Sequence, residues 1–283
     1  MIQKENNSVN TDRAWHQLYA RLEQDGLLPE KASAKTVTLF GSSVTRWAVV
    51  VAILIISTCT VLFLRDGNSD TNLLTLHNEK GSVTLVTTLE DGSIVYLADD
   101  TQLQYPEHFA SQKREVILNG NALFDVTGNK ERPFMIETEL IRIEVIGTAF
   151  NIQSTDHLPF ELTVQRGEVK VTYKKNGENL HVKEGETVTL SDNRLQVEQT
   201  NENKSLTGLT ERIRFKDEKL GNILRILNKK ESGIRLQTTP SLENRQLTAT
   251  FNNEPPETIA ELICTAFNLK WKKENNVLLI LEP

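Results

Sequence analysis

Residues 89–138 read LEDGSIVYLADDTQLQYPEHFASQKREVILNGNALFDVTGNKERPFMIET, and the order of residue types in this stretch decides the fold. Short apolar runs recur in it, SIVYL, REVIL, ALFDV and FMIET, each too short for a helix and rich in β-formers. Asp91-Gly92 and Asn119-Gly120 punctuate them as tight turns. Outward on both sides the pattern continues, with SVTLVTT before it and IRIEVI, AFNIQ, FELTVQ, EVKVTY and TVTL after it. Turn signals stand at Arg166-Gly167, Asn176-Gly177 and Glu184-Gly185. Residues 81–199 therefore predict about a dozen strands in an all-β unit, an antiparallel sandwich or stacked hairpins.

A polar connector covers 200–210, and the composition then changes. FKDEKLGNILRILNKKESGIRL aligns with FNNEPPETIAELICTAFNLKW at an offset of 36 residues, so Phe215 matches Phe251 and Glu218 matches Glu254. Each copy reads strand, turn, amphipathic helix, strand, and NVLLIL closes the chain. Each helix has one apolar stripe, so residues 211–283 are expected to form a small α+β domain of two βαβ halves sharing a core.

Before the β unit, RWAVVVAILIISTCTVLFLR places 18 uncharged residues between Arg46 and Arg65. A helix of that length spans roughly 27 Å, which predicts a single transmembrane helix over 47–64. The first 46 residues carry a net +1 and the remainder −7 of the chain's −6. Lys31, Lys35 and Arg46 lie before the span against Arg65 and Lys80 after it, a positive-inside bias that predicts a cytoplasmic N-terminus. In TDRAWHQLYARLEQDGLLPE, Trp15, Leu18, Tyr19 and Leu22 recur at i, i+3, i+4 and i+7, one apolar stripe on a helix over about 12–25. So short a helix is marginal alone, and its stripe calls for a partner or a surface to lie on. Residues 32–45 read as a tether and 65–80 as a linker.

The acidic balance gives no reason to expect direct nucleic-acid binding. Cys59 and Cys264 lie in segments expected in different environments, so no disulfide is expected. His16, His77, His108, His157 and His181 fall in no i, i+4 pair, and no zinc, nucleophile-elbow or phosphate-loop motif occurs. Asp99 and Asp100 read as turn residues. No enzyme activity, cofactor or metal is therefore expected.

Taken together, Asp91-Gly92-Ser93, Leu97, Tyr105-Pro106, Phe109, Arg114, Gly120, Ala122, Phe124, Val126, Arg132-Pro133-Phe134 and Ile146-Gly147-Thr148 with Phe150-Asn151 resemble the FecR family of single-pass regulators. VQRGEVKV and VKEGETVTL continue the likeness to residue 190. The doubled C-terminal unit looks like the small signalling domain found on secretins and some outer-membrane transporters, and TDRAWHQLYARLEQDGLL like the corresponding segment of Bacteroides-type members. The resemblance implies a single-pass anti-sigma factor of a bacterial inner membrane, with its C-terminal domains in the periplasm. Trp15, Leu18, Tyr19 and Leu22 would hold an extracytoplasmic-function sigma factor, and the outer region would take a signal from the signalling domain of a TonB-dependent transporter. Intramembrane and periplasmic proteases would release the tail. Many relatives carry a longer inner region, so inhibition would work through one helix ordering on its target, or the chain would activate its sigma factor. The alternative is an anchored periplasmic scaffold for a transporter or secretin-like complex.

Overall fold

The computed structural model describes residues 11–26, 43–65, 73–155, 159–200, 208–230 and 233–283. Most of the tether and the start of the 65–80 linker lie outside the described residues, as do 201–207 of the second connector. The chain divides into two compact units, Met1–Ser69 and Asp70–Pro283.

The first unit holds α1 (Thr11–Gln24) and α2 (Ser43–Arg65). Asp12 in the first turn of α1 and Arg21 in its last turn both oppose the helix dipole favourably. Gly26 closes the helix at φ +65°, its N–H donating to the Glu23 carbonyl. Within α2 the side chains of Trp47 and of residues 50–60 are described, and all are exposed. Among the described residues no helix is long and apolar enough to cross a membrane. The expected transmembrane helix over 47–64, and the single-pass inner-membrane placement drawn from it, are corrected on that finding. What stands is an apolar helix in which Thr58 and Thr60 donate their hydroxyl protons back to the Leu54 and Ile56 carbonyls.

The second unit is mainly β. One layer runs β1 (Leu73–Asn78), β4 (Thr101–Pro106), β5 (Arg114–Asp125), β6 (Phe134–Glu137), β7 (Ile141–Val145), β10 (Glu168–Tyr173), β11 (Asn179–Lys183). The other runs β13 (Arg194–Gln199), β12 (Glu186–Ser191), β9 (Glu161–Arg166), β8 (Ala149–Ser154), β5 again, β3 (Ile94–Leu97), β2 (Thr84–Thr88). Strand β5 serves both layers: its first half pairs with β4 and β6, its second with β3 and β8. The change of layer falls at Gly120, whose φ is +116° and whose absent Cβ would stand 2.5 Å from Thr101 Oγ1. Along β5, Arg114, Val116, Leu118, Ala122 and Phe124 all turn into the core between the layers. The sandwich is not wholly antiparallel, because β5 and β6 run parallel.

After α3 (Gly208–Glu211), the second layer continues through β14 (Ile213–Lys219), which lies parallel to β2, and β16 (Gln246–Phe251), antiparallel to β14. The layers and these strands make one continuous 15-stranded sheet. Helices α4 (Leu220–Leu227) and α5 (Pro256–Phe267) then precede β15 (Arg235–Thr238), β17 (Lys270–Glu274) and β18 (Val277–Leu281), which form a separate sheet ordered β15-β18-β17. The two copies of the repeat thus place their first strands side by side, with the Phe215 and Phe251 rings 6.0 Å apart. Their later strands go to the second sheet, and the α4 and α5 stripes share one core with both. That core also takes Val86, Ile94, Tyr96 and Leu123 from the sandwich. The core of the C-terminal region is therefore distinct from that between the sandwich layers and is completed by these four sandwich residues.

Candidate functional site

Trp15, Leu18 and Tyr19 are exposed on α1, at 59%, 47% and 59%, and Leu22 one turn on is half-buried. Helical spacing brings these four to one face, as the sequence predicts. Three large apolar groups on so short a helix leave water-exposed area that a partner would remove at roughly 25 cal/mol per Å².

In the second unit the residues that carry the family resemblance converge on one buried cation. The Arg114 side chain is 1% exposed. Its Nη1 donates to Asp91 Oδ2 at 2.6 Å and to the Thr127 carbonyl at 2.8 Å, Nε to the Arg132 carbonyl at 2.9 Å, and Nη2 to the Ile146 carbonyl at 3.3 Å. The guanidinium also lies 5.3 Å from the centre of the Phe134 ring. Asp91 accepts from the Ser93 amide and hydroxyl, and the Ser93 oxygen accepts from the Thr127 amide. Gly147 packs against Gly128, whose Cα would stand 2.5 Å from a Cβ placed there. A planar fork with this many partners suits Arg and not Lys. The cluster joins the β2–β3 turn, the start of β5 and the loops after β5 and β7. It is scaffolding.

Outward from it lies the seam with the C-terminal region. Arg225 on α4 donates to the Gly92 carbonyl at 3.0 Å, so the turn that grips Arg114 also receives α4. Lys229 and Arg166 both pair with Asp125. Burial opposes ionisation of Asp125, but hydrogen bonds from Lys229 and Arg166 outweigh it and hold the carboxyl below its ordinary value. Burial in the shared core, reinforced by the Asp125 charge, pushes the Tyr96 phenol up to about 12. Past Phe215, where the pairing of β14 with β2 ends and its register with β16 shifts, the Glu218 carboxylate accepts from the Thr88 amide at 3.0 Å and the Asn222 amide at 2.8 Å. A cleft of about 760 Å³ opens there, lined among others by Glu90, Tyr105, Lys216, Glu218 and Arg225. Among the described residues no three His, Cys, Asp or Glu gather to hold a metal. Cys264 is buried in the shared core and burial pushes its thiol up, away from a reactive thiolate.

Residues 77–170 match the FecR protein family, which spans the Arg114 cluster and most of the sandwich. That match takes in about a third of the chain and is a likeness of this region to a FecR domain. Two crystal structures of a candidate anti-sigma factor from Parabacteroides distasonis are similar to it at 19% identity and a TM-score of 0.46. They cover 74% and 75% of this chain and 99% of their own. No curated protein matches the chain. Arg225 and Lys229 fall within the first copy of the repeat and Asp125 within the ALFDV run, but none of the three is a position that marks either pattern. Glu218 was visible only as a member of the repeat, and its counterpart Glu254 does something else, accepting from the Asn252 amide.

Proposed function

We propose that this chain is an anti-sigma regulator whose grip on its target is the Trp15, Leu18, Tyr19 and Leu22 face of α1. The observation that carries the reading is the pairing of a FecR-like region with a short helix whose large apolar residues are exposed. An exposed Trp and Tyr flanked by Leu is the composition of a binding hot spot. The helix is delivered by a segment separate from the β-rich unit, which suits a design in which one unit grips and the other receives.

In its finer form the proposal gives the β-rich unit an input from the signalling domain of a TonB-dependent transporter, with protease cutting that frees the α1 segment. The target is an extracytoplasmic-function sigma factor. The test is capture of the full chain from its host, with bound sigma factor quantified by mass spectrometry. Wild type retains one sigma factor, and Trp15→Ala with Leu18→Ala loses it. Retention by the double variant removes this face as the grip. Deleting residues 1–40 alters transcription of transporter genes under this reading and leaves it unchanged if the protein is a scaffold.

A further inference from the structure

Strand β17 is an open edge of unusual composition. Its sequence is KWKKE, all five residues are exposed, and among the described residues it pairs with β18 alone. Alternation places Lys270 and Lys272 on one face of the sheet and Trp271 and Lys273 on the other. Lys273 meets Glu257 of α5 at 3.1 Å, which identifies the second face as the one towards that helix. Trp271, still 37% exposed, borders an open groove of about 510 Å³ with Glu261, Thr265 and Leu269. Three lysines in five residues stand out in a chain whose net charge is −6.

We propose that β17 is the docking edge for an acidic, extended segment of another protein, which adds to the β15-β18-β17 sheet as a fourth strand. Backbone amides and carbonyls on the free side of β17 would supply the ladder; Lys270, and Lys272 on exchanging its 2.6 Å pairing with Glu274, would select carboxylates at alternate positions. Trp271 would cover the apolar residues that fall between them. A second copy of this strand is the poorer occupant, because antiparallel self-pairing sets Lys272 against its own copy and Trp271 against Lys273, with Lys270 and Glu274 alone matched in charge. It also separates β17 from the edge strand β16, whose QLTATF carries no charge to choose a partner by. The inference stands apart from the sigma-factor reading, since it involves neither α1 nor its target.

The probe is a short fluorescent peptide of alternating Glu and Val, titrated into the full chain and followed by polarisation. Binding is expected, weakened about tenfold or more by Lys270→Glu with Lys272→Glu and also by raising salt from about 50 to about 500 mM. An alternating Lys and Val peptide should not bind. N-methylation along one edge of the acidic peptide should abolish binding, while the same modification along the other edge should spare it. Undiminished binding to the charge-reversed variant, with its fold confirmed by circular dichroism, overturns the proposal. Equal binding of the two N-methylated peptides also overturns it. So does a wild type that ignores the peptide while Lys270→Ala with Lys272→Ala self-associates, because the lysines then serve only to guard the edge.

Discussion

Arg114 shows how a charge becomes structural when four of its five donors are engaged. The guanidinium sits in the sandwich with one carboxylate, three carbonyls and a ring around it. Arg114→Met leaves Asp91 without its cation and is expected to cost about 3–5 kcal/mol in denaturant unfolding; a loss under 1 kcal/mol would show the cluster to be incidental. Gly120→Ala forces a Cβ against Thr101 in a left-handed conformation and should cost about 1–3 kcal/mol. Asp125 gives the pH dependence its sign. Because its carboxyl is held below the ordinary value, its contribution is present above the unfolded pKa of about 4 and fades as pH falls through the folded one. Unfolding midpoints of Asp125→Asn should therefore lie below wild type at neutral pH and converge with it on acidification. The motif residues around Arg114 were legible as a set in the sequence. Their mutual contacts were not, since Asp91, Arg114 and Ile146 lie far apart along the chain.

At the scale of elements, alternation carried much of the information. In β5 every second residue from Arg114 to Phe124 faces one core, as a period of two demands. Strand β3 departs from this, since Ile94, Val95, Tyr96 and Leu97 are all buried. SIVYL reads as one more short strand, and its second face is covered by the helical layer brought by residues more than a hundred positions later. Local pattern records that a strand is apolar on both sides; it does not record what covers it. Helix α1 is the reverse case, where spacing located the stripe and the structure leaves three of its four residues exposed. Trp15→Ala with Leu18→Ala should thus leave the circular dichroism and thermal midpoint of the chain unchanged while removing the sigma factor. A drop in midpoint would mean the stripe is packed within the protein.

At the scale of the molecule, the sequence marks a boundary near residue 200 that the packing crosses. Ile213–Phe215 lie beside Thr84–Val86, Arg225 reaches Gly92, and the shared core draws on both sides. A pairing across so long a loop leaves no local signature, which is why the β14–β2 seam could not be read from residues alone. Removing residues 208–283 uncovers Val86, Ile94, Tyr96 and Leu123, so the remaining sandwich should bind a hydrophobic dye and unfold at lower denaturant than the parent. A truncated sandwich as stable as the whole would show the seam to be idle. The account as a whole rests on the α1 face gripping a sigma factor, and one measurement meets it most directly. It is the amount of sigma factor captured from the host by the full chain and by its Trp15→Ala, Leu18→Ala variant. The account predicts one sigma factor on the wild type and none on the variant; equal capture by both, or none by either, contradicts it.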